Sequence, residues 1–194
     1  MKIFISLLVL FTSLTTFAKD ASIVLMRGEI FVNGKQTEKK IDLVYGDKIE
    51  ARGEGSFVQI LFNTGSKLML KDGIILLERF KKEGSIINMI KGTIFTYVNK
   101  AAKKEFRVKT RHSSMAVRGT KFFVEEKEEE TYLCVCEGVV RIQNKTGHRD
   151  IKRGQDIHAT KKGALSITRA SNMMWKMSIE AFKQMDLPLE NPPR

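Results

Sequence analysis

Between Phe106 and Val124 the chain places Lys109, Arg111, His112, Arg118 and Lys121 close together in sequence. In an extended chain alternate side chains share a face, so Lys109 and Arg111 project together. With His112, Arg118 and Lys121 they could form a cationic patch for a carboxylate or a phosphate. Arg118 has a second, structural reading, which is the preferred one: its fork of guanidinium donors suits neighbouring backbone carbonyls or the carboxylate of Glu137. Ser113 and Ser114 lie beside His112, but no Gly-x-Ser-x-Gly elbow and no orienting acid accompany them. No glycine-rich phosphate loop is present either. No catalytic residue is therefore assigned, and the sequence reads as that of a non-enzyme. Cys134 and Cys136 stand two apart on a predicted strand and project to one face, near or beyond the span of a relaxed disulfide, so they read as buried thiols. With three His, two Cys and no Cys-x-x-Cys or His-x-x-x-His pair, neither a metal site nor a cofactor is expected. The acidic run from Glu125 to Glu130 reads as a solvated hairpin tip.

These side chains need a β framework to hold them. From Ser22 to Thr168 the apolar residues come in short runs dominated by period two and bounded by Gly, Asn, Asp or Lys. Segments 57–62 and 67–71 flank Asn63-Thr64-Gly65-Ser66 and predict a hairpin. Alternation there turns Leu68 and Leu70 inward and leaves Lys67, Met69 and Lys71 on a wet face. Further strands are predicted at 23–26, 29–32, 74–78, 93–98, 106–110, 121–125, 132–136, 139–143 and 165–168. Such spacing means a sandwich, jelly roll or barrel. Gly28 with Gly46, and Gly138 with Gly154, each open strands in the same order, which predicts pseudo-repeated strand units. Met174, Trp175, Ile179, Phe182 and Met185 then fall at helical spacing behind a Ser171 or Asn172 cap, predicting one C-terminal amphipathic helix, either docked or offered to a partner. Leu187-Pro188 ends it. The expected division is a leader over 1–18, a β domain over 19–168, the helix over 169–186 and a flexible tail over 187–194.

The block Val117-Arg118-Gly119-Thr120-Lys121-Phe122-Phe123-Val124, followed by Thr131, Leu133, Val135, Glu137, Gly138 and Val140, resembles the FecR-like domain family of bacterial envelope proteins. The first part matches that family's Val-Arg-Gly-Thr-x-Phe-x-Val in full, and the second has Leu for one Val. Segments 55–68, 91–95 and 151–155 are similar to other parts of its pattern, so the likeness runs from about Gly28 to Ile157. It implies a mainly β, sandwich or jelly-roll-like domain. Val117, Arg118, Gly119, Thr120, Phe122, Val124, Glu137 and Gly138 are its structural motif. Gly119 suits a bulge or a turn with positive φ. Two departures stand out. Thr110-Arg111-His112 replaces the family's Thr-Pro step, making that corner less rigid and more basic. Only Met1-Lys2 precedes the first apolar stretch, so the sigma-factor-holding role of some members is not expected here.

Lys and Arg number 34 against 22 Asp and Glu, giving +12, while 42% hydrophobic residues exclude wholesale disorder. Met1-Lys2, an apolar stretch and Thr16-Phe17-Ala18 form the layout of a cleavable secretory leader, which places the mature protein in the periplasm with no transmembrane helix. The expected role is an exported interaction, sensing or scaffold module of the bacterial envelope with a protein partner. The alternative is a binder of anionic envelope glycan or lipid, such as peptidoglycan or lipopolysaccharide, through its basic patch. Nucleic acid is not expected, since no aromatic-basic strand motif accompanies the charge.

Overall fold

A computed structural model of the chain describes residues 19–80, 84–102 and 105–191. The expected leader lies outside the described residues. Strands form at β1 (Ala21–Val32), β2 (Lys35–Gln36), β3 (Asp42–Leu43), β4 (Lys48–Phe62), β5 (Lys67–Phe80), β6 (Gly84–Tyr97) and β7 (Phe106–Lys109). They continue at β8 (Ser114–Val117), β9 (Lys121–Glu126), β10 (Glu130–Glu137), β11 (Val139–Asn144), β12 (Gly147–Lys152), β13 (Gln155–Thr160) and β14 (Leu165–Arg169), followed by α1 (Asn172–Gln184). The protein is thus mainly β with one C-terminal helix, and its sheet is open.

The first strands are longer than the apolar runs suggested. Segments 23–26 and 29–32 join into β1, and 67–71 and 74–78 into β5, because the Gly and Asp residues between them make bulges and not turns. At the β5–β6 bulge the two backbones approach so closely that a Cβ on Gly73 would lie 2.4 Å from the Lys91 carbonyl oxygen, and one on Gly92 2.4 Å from the Gly73 Cα. Only glycine fits at both positions.

That bend lets β6 serve two neighbours. Its first half pairs in parallel with β7, from Ser85 opposite Phe106 to Asn88 opposite Lys109. Its second half pairs antiparallel with β9, from Gly92 opposite Glu126 to Tyr97 opposite Lys121. The sheet therefore forks into an arm β7-β8-β11-β12 and an arm β9-β10-β13-β14. The main core joins Leu68 and Leu70 to Val108 and Ile142 of one arm and to Val124 and Leu133 of the other, all fully buried. The two glycine-led units expected to echo each other share positive φ at Gly28 and Gly138, yet they pair differently. In the first, β1 lies against β4; in the second, β11 and β13 belong to different arms.

The opposite face carries a second core. Met69, Phe95, Phe123, Tyr132, Cys134 and Cys136 line it, and α1 covers it with Trp175, Ala181 and Phe182, joined by Met185 at its C-cap. Met69, expected on a wet face, is fully buried for that reason. Phe95 stacks on Phe123 at 5.1 Å between centroids and meets Phe182 edge-on at 6.2 Å. Lys67 and Lys71 keep the alternation but flank the helix: Lys67 Nζ donates to the Met185 carbonyl at 2.8 Å, and Lys71 Nζ lies 5.3 Å from the Phe95 centroid. Ser171 is the N-cap, accepting from the Met174 amide at 3.3 Å. Beyond α1 the chain passes the start of β9 and the turn between β12 and β13: Lys121 Nζ donates to the Pro188 carbonyl at 3.1 Å and Arg153 Nη2 to the Asn191 carbonyl at 2.9 Å.

Candidate functional site

The Val117–Val124 block works on the backbone. β8 ends at Val117, buried opposite Phe106, and the chain must reverse before β9. Gly119 makes the corner with φ 62°, where an L side chain would be strained. The corner at Gly138, with φ 83°, packs directly on it: a Cβ there would stand 2.8 Å from Thr120 Cγ2 and 2.9 Å from the Gly119 carbonyl oxygen. Thr120 is buried between them, and its carbonyl accepts from the Val98 amide at 2.9 Å. Phe122 and Val124 enter the main core. Val117, Gly119, Thr120, Phe122, Val124 and Gly138 thus hold the crossing between the two arms.

Arg118 departs from its preferred structural reading. Its side chain is exposed and makes no hydrogen bond or ion pair among the described residues. Glu137 pairs instead with Lys121, at 2.8 Å.

The expected cationic patch splits. Lys121 starts β9 beside Glu137 and the C-terminal segment, whereas Arg111 meets the other end of β9. Five strand steps of about 3.3 Å, roughly 17 Å, separate those ends. Lys109, Arg111 and His112 stay together and line an open pocket of about 780 Å³. Sequence reasoning missed Arg107, Lys145 and Lys161, which join them there, together with the amides of Gln143 and Asn144. Lys145 and Lys161 were visible as turn lysines and Arg107 as a strand residue, but only the tertiary fold sets them side by side.

The pocket forms where the β7–β8, β9–β10, β11–β12 and β13–β14 connections meet. Hydrogen bonds tie the turns together. Arg111 Nη1 and His112 Nε2 both donate to the Glu128 carbonyl, at 3.3 and 3.0 Å. Lys161 N donates to the Glu129 carbonyl at 2.9 Å, and Asn144 Nδ2 to that of Gly163 at 3.1 Å.

Beneath Arg111 and His112 lies a buried polar network. On β9 the alternation that buries Phe122 and Val124 also turns Glu126 inward, so Glu126 is no part of a solvated tip. Thr131 donates its hydroxyl to Glu126 Oε2 at 2.5 Å. The Thr131 proton being engaged, Thr110 donates to Thr131 Oγ1 at 2.7 Å and accepts from the Ser113 amide at 3.0 Å. The Arg111 amide donates to Glu126 Oε1 at 3.3 Å. Burial holds the Glu126 carboxyl above the usual carboxylate range, against the opposing pull of the Thr131 hydrogen bond.

The thiols belong to the helix-covered core. Cys134 and Cys136 are buried and unbridged. The hydrogen bond with Cys136, and then burial, push the Cys134 thiol well above the ordinary range. Burial, and then the hydrogen bond from its hydroxyl to Asp156 Oδ2 at 2.6 Å, raise Tyr132 likewise. Among the described residues there is no cluster of three side chains able to hold a metal ion, and no helix long and apolar enough to cross a membrane.

The buried motif residues brace the backbone corners at one end of β9, and an open basic pocket rimmed by turns lies at the other. Residues 47–141 match the family model described as FecR protein, and this chain accordingly carries a FecR domain. The match starts just before β4 and ends within β11, so β12 to β14 and α1 follow it. Two crystal structures, at 1.65 and 2.50 Å, each provisionally described as an anti-sigma factor from Parabacteroides distasonis, are similar in fold with a TM-score of 0.59 and 19% identity. The likeness covers 66% and 71% of this chain and 62% and 64% of theirs. Among curated proteins none matches this sequence.

Proposed function

We propose that this protein is an exported, non-enzymatic module of the bacterial cell envelope that senses or scaffolds by binding a protein partner. The FecR match over residues 47–141 carries the reading, with support from the buried motif residues, which brace the arm crossing. Both structures of similar fold are described as those of an anti-sigma factor, a kind of protein that acts on a protein partner, in keeping with such a role. Residues 1–18 direct export in this reading, and the mature chain acts in the periplasm. The test is in-cell crosslinking of the tagged chain followed by mass spectrometry. Recovery of one partner in stoichiometric amount is the expected result, and recovery of the chain alone counts against it.

A second reading, an anionic envelope glycan or lipid as ligand, is favoured by the pocket holding Lys109, Arg111 and His112. Retention on peptidoglycan or lipopolysaccharide that fades with salt tests it. Arg118 and Lys121 stand apart from that pocket and should not contribute.

A further inference from the structure

The geometry points to a short acidic oligosaccharide, carrying phosphate or carboxylate groups, as the ligand of the pocket where the four turns meet. This rests on the second reading above and narrows it. Charge comes first. Arg107, Lys109, Arg111, Lys145 and Lys161 line the space, against Glu128 as the one carboxylate of the lining. Arg107 and Lys161 already engage Glu105 at 2.7 Å and Glu129 at 3.2 Å. Lys109 and Lys145 make no ion pair among the described residues, and so offer the cations most open to an incoming anion. Six of the fourteen lining residues, including Gln143, Lys145 and Lys161, come from beyond residue 141 and so from outside the family match. The pocket is a feature of this chain's own turns.

Shape and neutral groups narrow the class. The volume of about 780 Å³ falls within the roughly 300–1,000 Å³ typical of organic ligands, well beyond what one inorganic ion fills. Ser114, Gln143 and Thr160 offer hydroxyls and an amide that pair with sugar hydroxyls in either direction. Apart from His112 the lining has no aromatic ring, so a nucleic-acid strand finds no stacking platform. A recess without Trp, Tyr or Leu at its rim also suits a flat bilayer poorly. The turns are tied to one another before any ligand arrives, which lowers the ordering cost of binding.

The experiment is calorimetric titration of the purified chain with four probes: oligogalacturonate for carboxylate, a phosphorylated oligomannose for phosphate, neutral maltohexaose, and inorganic tripolyphosphate. Phosphatidylglycerol vesicles serve as competitor. One or both acidic saccharides should bind, maltohexaose should not, and the Lys109→Glu/Lys145→Glu variant should lose at least about tenfold in affinity, as removal of charged hydrogen-bond partners implies. Both substituted lysines are exposed, and an unchanged melting temperature of the variant establishes that it is folded. Gln143→Ala should weaken the saccharide several-fold and leave tripolyphosphate unchanged. If no anionic probe binds, both the second reading and this inference fall. If tripolyphosphate or the vesicles bind as tightly as the saccharides, or Gln143→Ala is silent, anion binding stands and the saccharide assignment falls. Acidic saccharide binding untouched by the double charge reversal would move the ligand away from this pocket.

Discussion

Burial of Glu126 makes its carboxyl easier to protonate in the folded chain than in the unfolded one. A group shifted upward in this way contributes stability that is fully present below its unfolded pKa and is lost as pH rises through the folded value. Acidification from neutral pH toward about 4.5 should therefore strengthen this part of the fold, while the exposed carboxylates change little. Glu126→Gln should flatten that dependence in urea unfolding at pH 5 and pH 7, and an unaltered slope would show that the carboxyl is not strained by burial. The two packed corners should respond unequally to a methyl group. At Gly138 an added Cβ meets backbone at 2.9 Å, whereas at Gly119 it meets the flexible Lys100 side chain at 3.0 Å. Gly138→Ala should cost about 2–3 kcal/mol and Gly119→Ala nearer 1 kcal/mol, the backbone strain being common to both and the clash special to the first. Equal losses in chemical unfolding would contradict this account. Glu126 was legible as buried only from the phase of β9: once Phe122 and Val124 face inward, the residue two further on must follow.

At the scale of elements, α1 is a clamp on the sheet. Trp175, Ala181 and Phe182 turn toward the sheet while Met173 and Met177 stay exposed, and Phe182 inserts edge-on against Phe95. Phe182→Ala or Trp175→Ala should each destabilise the domain by roughly 3 kcal/mol, as aromatic truncations in a packed core do, and should expose the cysteine-bearing face to thiol reagents. Thiol labelling under native conditions reads this directly; silent cysteines in a folded variant would mean that the helix does not protect them. Ser171→Ala should cost about 1 kcal/mol through loss of the cap. The helix itself was legible from its period, and the cap from the choice between Ser171 and Asn172. Its docking face was not, because the alternation around Met69 reads the same whether the far side of the strand meets water or a helix. β8 and β12 went unseen because Ser114–Val117 is only four residues long and Gly147–Lys152 has a single aliphatic residue, Ile151; pairing with β11 holds both in the sheet.

For the molecule as a whole, the fork at β6 decides how function can be distributed. One end gathers the turns and their lysines; the opposite end of β9 carries Lys121, Glu137 and the returning C-terminal segment. The chain isolated from cells should begin at Lys19, as intact-mass measurement would show; a retained leader would argue against a periplasmic module. Most of the longer strands, the C-terminal helix and the glycine corner at Gly119 were readable from residue order alone, since period two, period 3.6 and a glycine before a new strand are local properties of the chain. The partition of five basic residues into a pocket and a separate ion-paired edge was not. Alternation tells which side of its own strand a residue occupies, but the distance between Arg111 and Lys121 depends on which strands lie between them and on how far the sheet has bent. Those are outcomes of long-range pairing, and they exist only once the two arms have closed over their common core.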